Sequence, residues 1–111
     1  MPLYMVQFAY TSDAWAALVD TQEDRSVAIA SVAATMGSRM VCYYLTFGEY
    51  DFLTIIEAPG ETQMAAILLS AAGAGGITDV RTTIALSAVE AKGAFAAAGD
   101  LSHSFRTPGG A

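Results

Sequence analysis

Two carboxylates flank a tyrosine in the segment Gly48-Glu49-Tyr50-Asp51. A carboxylate placed there either accepts N–H bonds from a turn or takes a proton from a ligand. The second use requires surroundings that tune its pKa. On the structural reading, Gly48 supplies a positive φ, Asp51 bonds turn amides and Tyr50 packs at a sheet edge. On the functional reading, Glu49 or Asp51 faces a pocket, and these two are the catalytic candidates. Tyr4, Tyr10, Trp15, Tyr43, Tyr44 and Phe47 form a second set. Ligand pockets are mostly apolar with a few polar groups, and tyrosine offers both, although core and interface packing uses the same residues. The candidate ligand-binding residues are Tyr10, Trp15, Tyr43, Phe47, Tyr50 and Asp51.

Other residue types offer less. Gln7, Thr54 and Arg81 stand among apolar neighbours and need polar partners; they pair with one another or line a cavity. His103 is the one histidine, and alone it builds neither a metal site nor a proximal heme site. No Cys, His and carboxylate cluster has metal-ligand spacing, so the sequence implies no metal and no cofactor. Cys42 lies in an apolar run and reads as an inert core thiol. Ala74-Gly75-Gly76 follows a helical pattern and reads as a helix terminator, not a phosphate loop.

The elements that must position these residues follow from periodicity. Residues 3–10 are β-branched and aromatic and predict a strand. Ser12 is a plausible cap for a short helix carrying Trp15, Leu18 and Val19. After a polar break, Ile29, Val32, Ala33 and Met36 recur at helical spacing, with Gly37 as a stop. Residues 39–47 and 51–58 predict two strands joined by a three-residue hairpin of Gly48, Glu49 and Tyr50. Met64, Ile67, Leu68 and Ala71 mark a helix over 62–72, and 77–86 predict a fourth strand, with Val80, Thr82, Ile84 and Leu86 on one face. Ser87 caps an alanine-rich helix to about Ala98. From Gly99 onward the chain is polar with Gly and Pro, as expected of a loose tail. The division is a domain over 1–98 and a flexible tail over 99–111.

This β-α-β-β-α-β order is the ferredoxin-like pattern, an α+β fold with a four-stranded antiparallel sheet and, here, a C-terminal helix. Its helices cover one sheet face. Strict alternation puts Val41, Tyr43, Leu45 and Phe47 on one face of the second strand and Met40, Cys42 and Tyr44 on the other. The third strand is likewise apolar on both faces. A sheet with one wet face alternates apolar and polar, so the open face is expected to pack on a second copy, as a homodimer or higher even-numbered assembly.

Pro2-Leu3-Tyr4, Tyr10-Thr11 with Ala14-Trp15, the run from Tyr43 to Asp51, and Glu57-Ala58-Pro59 resemble the GYD-domain family. The family's name refers to a Gly-x-Tyr-Asp segment, matched by Gly48, Tyr50 and Asp51, and the resemblance spans roughly residues 1–89. It implies a dimeric α+β barrel, in which two ferredoxin-like sheets pack face to face, with a pocket between helices and sheet or inside the barrel. The superfamily includes heme-handling and cofactor-free monooxygenases, small isomerases and amino-acid-sensing domains of transcription regulators. The fold alone does not choose among them.

Composition narrows the classes further. At 54% apolar and 14% charged residues, the chain is far more apolar than the usual soluble domain. Exposed apolar surface on that scale marks interfaces. The longest uncharged run, 62–78, contains Thr, Gln and Ser and falls short of a membrane span. No basic n-region opens the chain, and one cysteine fits a reducing compartment, so a cytoplasmic protein without a membrane partner is expected. A net charge of −6 with scattered Arg25, Arg39, Arg81, Lys92 and Arg106 argues against nucleic acid. Three functions remain. The first is a sensing or carrier domain for a small apolar or aromatic molecule. The second is a cofactor-independent oxygenase, isomerase or decarboxylase using Glu49 or Asp51. The third is a purely structural assembly subunit. With no catalytic constellation in view, the first is the leading expectation and an enzyme the lesser one.

Overall fold

The structure is a computed structural model describing residues 1–104 and 107–109. Its elements run β1 (Leu3–Tyr10), α1 (Ser12–Asp20), α2 (Arg25–Thr35), β2 (Arg39–Leu45), β3 (Phe52–Glu57), α3 (Glu61–Gly73), β4 (Ile77–Ala85) and α4 (Ala88–Leu101). The four strands form one antiparallel sheet in the order β2-β3-β1-β4, the ferredoxin-like topology.

Local chemistry explains the helix boundaries. Thr11, not Ser12, caps α1, accepting the Ala14 N–H at 3.2 Å through its hydroxyl. Asp24 caps α2 by accepting from Ser26 N–H at 2.9 Å. Gly37, just past the end of α2, takes φ +63, as a helix stop requires. Ser87 and Glu90 form a reciprocal capping box on α4.

The core lies between the sheet and α1, α2 and α3. Tyr4, Val6, Phe8 and Tyr10 of β1 alternate inward and meet Phe52, Thr54 and Ile56 of β3, with Ala33, Met64 and Ile67 above them. The opposite face carries Leu3, Met5, Gln7 and Ala9 of β1, with Leu53 and Ile55 of β3 beside them. No helix covers it.

Two bulges alter the simple alternation. Met40 pairs with Ile56 and Cys42 with Ile55, so Val41 is an extra residue. Met40 therefore shares the helix-side face with Tyr43 and Leu45, whereas Cys42 and Tyr44 take the open face. A second shift lies opposite Phe8, where Asp79 adopts φ 54 between the Gln7–Arg81 and Ala9–Thr78 pairs. The connection from β2 to β3 is also longer than a three-residue hairpin. Strand pairing stops at Leu45–Phe52, and Thr46 closes the loop, its N–H donating to Asp51 O at 2.8 Å and its hydroxyl to Tyr50 O at 2.6 Å. Gly48 is absent from the positive-φ positions, because this wider loop turns without a left-handed residue there.

The C-terminal region departs most from a compact body. The helix α4 continues through Gly99 and Asp100 to Leu101 and lies away from the core, leaving Val89, Phe95 and Leu101 exposed. The radius of gyration is 18.2 Å, against about 13 Å for a compact chain of this size. The accessible surface is 7436 Å², whereas a compact monomer of 11.5 kDa exposes about 5,800 Å². His103 is exposed in a turn after α4. Of the tail expected to be loose, Phe105, Arg106, Gly110 and Ala111 lie outside the described residues.

Candidate ligand-binding site

The inward residues of β1 and β3 gather the aromatic side chains. Phe8 stacks on Phe52 with centroids 5.5 Å apart, and Tyr10 meets Phe52 edge-on at 4.5 Å. Trp15, one turn into α1, meets Tyr10 at 5.2 Å, and Tyr43 of β2 lies 4.7 Å from Phe52. The Tyr10 and Tyr43 hydroxyls are 2.9 Å apart. Burial, then the hydrogen bond with Tyr10, push the Tyr43 phenol above its ordinary range, so it stays neutral.

Beside this cluster, the helices part over the sheet and leave a cavity of about 300 Å³. Val6, Phe8, Thr54 and Ile56 form its floor, and Ile29, Val32, Ile67, Leu68 and Ala71 of α2 and α3 form its walls. Tyr10, Glu23 and Arg25 supply most of the polar chemistry. Thr54 is already engaged, its hydroxyl donating to Cys42 O at 2.8 Å. Arg25 meets Glu23 at 3.3 Å. Partial burial acts to lower the Arg25 pKa, but the Tyr10 phenol beside it, with Glu23 and Tyr43, more than offsets this and raises it. Arg25 stands at i, i+4 and i+7 with Ile29 and Val32, a cation on the apolar stripe of α2. That spacing is the sequence signal for its place in the cavity.

The Gly-x-Tyr-Asp loop divides its residues differently. Asp51 accepts the Tyr10 N–H at 2.9 Å through Oδ2, and its own N–H donates to Phe8 O at 2.9 Å, tying the start of β3 to the end of β1. Glu49 and Tyr50 border a more open polar depression with Gln7, Thr46, Gly48 and Arg81. Gln7 and Arg81 are cross-strand partners on the open sheet face. Phe47 is 96% exposed. The structure thus groups Tyr10, Trp15 and Tyr43 around Phe52, with Asp51 bound to the Tyr10 backbone. It sets Phe47 and Tyr50 apart on the loop, with Glu49 beside Tyr50. Among the described residues, no three His, Cys, Asp or Glu side chains are grouped to hold a metal ion.

A sheet in β2-β3-β1-β4 order with helices on one face defines the ferredoxin-like class. Residues 4–95 match the GYD domain model, and the chain belongs to that family. Among solved structures, TTHA0845 from Thermus thermophilus is similar at 15% identity and TM-score 0.51, over 79% of this chain and 96% of that one. The transcriptional regulator NMB0573 from Neisseria meningitidis, determined as a complex with L-Met, is similar at 14% identity and TM-score 0.52. That match covers 79% of this chain and about half, 51%, of the regulator. At these identities the likeness is one of fold. No curated protein matches the chain. No helix among the described residues is long and apolar enough to cross a membrane.

Proposed function

We propose that this chain is a self-associating sensing or carrier domain that binds a small apolar or aromatic molecule in the cavity between its helices and its sheet. The observation that carries this reading is the cavity itself. It has ligand size, mostly apolar walls and a few polar groups, Tyr10, Glu23 and Arg25 among them. Support also comes from the L-Met complex of a regulator with a related fold. The open sheet face and the projecting α4 support assembly with a second copy, since the chain's surface beyond that of a compact monomer is about 1,600 Å², about twice the roughly 800 Å² that each partner contributes to a standard interface.

Trp15 is the one tryptophan and packs on Tyr10, which lines the cavity. Titration with small aromatic and aliphatic molecules should change its fluorescence and raise the melting temperature, because a ligand of the native state stabilises it by mass action. Ala71→Phe, which fills the cavity from α3, should abolish both responses while circular dichroism stays unchanged. Responses that survive Ala71→Phe would place the binding elsewhere. Light scattering should give a particle of at least twice 11.5 kDa at micromolar concentration.

A further inference from the structure

The polar groups of the helix-layer cavity are unevenly distributed, and their arrangement restricts the occupant. Apart from Ser70 and Thr54, whose hydroxyl donates to Cys42 O, the floor and walls are apolar and offer little to a charged or multiply polar body. Charge is confined to Glu23 and Arg25, on the segment that leads into α2 and on its first residue. Of the two, Arg25 sits deeper, with its side chain 35% exposed against 54% for Glu23. Its guanidinium carries five N–H donors in a planar fork, and Glu23 engages it at Nη1.

The Tyr10–Tyr43 pair adds a donor. When one phenol donates to the other across 2.9 Å, the accepting phenol keeps its own hydrogen. Tyr10 lines the cavity and lies beside Arg25. An anionic head placed there meets a guanidinium fork and a phenol O–H, both suited to a carboxylate. A cavity of about 300 Å³ accommodates about ten water-sized atoms at roughly 30 Å³ each.

We propose that the cavity takes an amphipathic monocarboxylic acid of about eight to ten carbons in all, with its carboxylate head on Arg25 and Tyr10 and its apolar tail between α2 and α3. This rests on the cavity being the binding site and adds the ligand's chemical class. Glu23 opposes the head from the exposed side, competing for Arg25 and weakening the complex.

The test compares decanoate, decanol and decylamine, each below its aggregation threshold, by calorimetric titration of the full chain. Decanoate should bind at least ten-fold more tightly than decanol. Arg25→Gln, which keeps an extended side chain, should remove that advantage by weakening decanoate far more than decanol. Glu23→Gln should tighten decanoate several-fold and leave decanol unaltered. Nuclear Overhauser contacts should join the decanoate methyl group to Val32 and Ile67. Equal binding of decanoate and decanol, unaffected by Arg25→Gln, would overturn the carboxylate assignment while the cavity reading stands. Preference for decylamine, weakened by Glu23→Gln, would overturn it in favour of a cation. Contacts to Leu53 and Ile55 would place the ligand on the open face and overturn both readings. So would failure of all three probes together with failure of neutral aromatic probes. Circular dichroism of each variant separates lost affinity from lost fold.

Discussion

Ile55 and Ile56 are neighbours on β3 with opposite surroundings. Ile56 is 1% exposed and closes the floor of the cavity beneath the helices. Ile55 is half-buried on the other face, beside its cross-strand partners Met5 and Cys42. The two residues are chemically identical, so the difference lies in what the rest of the chain supplies. It supplies three helices to one face and, among the described residues, none to the other. The covered face is apolar because it makes the core. Around Leu3, Met5, Leu53 and Ile55 the open face is apolar with no covering element among the described residues, the pattern expected of a surface that a second copy completes. The covered face, in turn, is not filled, and its remaining space is the cavity.

Paired substitutions put this contrast to the sharpest test. Ile56→Ala should cost about 2–5 kcal/mol, through lost transfer energy and an enlarged void. Ile55→Ala should cost about 1 kcal/mol or less in a dilute monomer, with a loss that grows at concentrations where copies associate. Urea unfolding at two protein concentrations measures both. Ile55→Lys should fold and shift light scattering toward 11.5 kDa. Equal, concentration-independent costs at Ile55 and Ile56 would break the contrast between the faces.

Asp51 offers the next largest effect, because it belongs to the covered side through the Tyr10 backbone. Removing its acceptor in Asp51→Ala leaves a part-buried N–H unsatisfied, with an expected cost of about 1–3 kcal/mol. Asp51→Asn keeps a side-chain oxygen and should cost about 1 kcal/mol or less. Unfolding curves for the two variants without ligand check this order. A neutral Asp51→Ala would show that the clamp is dispensable and return Asp51 to the list of candidate bases.

The Tyr43 phenol gives a smaller, pH-dependent signal. Burial and the Tyr10 hydrogen bond raise its folded pKa above the ordinary tyrosine value of about 10. A group raised on folding contributes stability that is complete below its unfolded pKa and is lost as pH rises through the folded one. Melting temperature should therefore hold to about pH 10 and then fall. Tyr43→Phe should flatten that fall relative to the parent, and parallel curves would show that the pair is not closed in solution.

The order of elements was legible because each has its own period and punctuation. Ser87 before the alanine-rich helix, Gly37 after Met36, and the aromatic alternation of β1 each act within a few residues, and the structure places them as that reading expects. The bulge at Val41 was not legible, since no turn residue marks it and its register depends on β3. The cavity was illegible for a related reason: the spacing between α2 and α3 is a property of packing, not of either helix pattern. Arg25 was hidden among scattered basic residues, although its helical spacing from Ile29 and Val32 is visible once α2 is known to begin there.

Gly48 provides the smallest expected effect and separates the loop's sequence pattern from its backbone. A Gly beside Glu-Tyr-Asp suggests a tight hairpin with a left-handed glycine, where a Cβ would be strained. The actual loop is wider, is held by Thr46 to Tyr50 and Asp51, and gives Gly48 no positive φ. A Cβ built there meets no atom within 4 Å. Gly48→Ala should then stabilise the chain by about 0.4–1 kcal/mol, because alanine restricts the unfolded ensemble without straining the fold. Gly37→Ala, at φ +63 with equally open space, controls for backbone conformation and should destabilise. If Gly48→Ala instead lowers the melting temperature as Gly37→Ala does, the loop adopts a left-handed turn in solution. If it keeps stability but loses self-association, the exposed loop belongs to the contact between copies and Gly48 is selected for close approach.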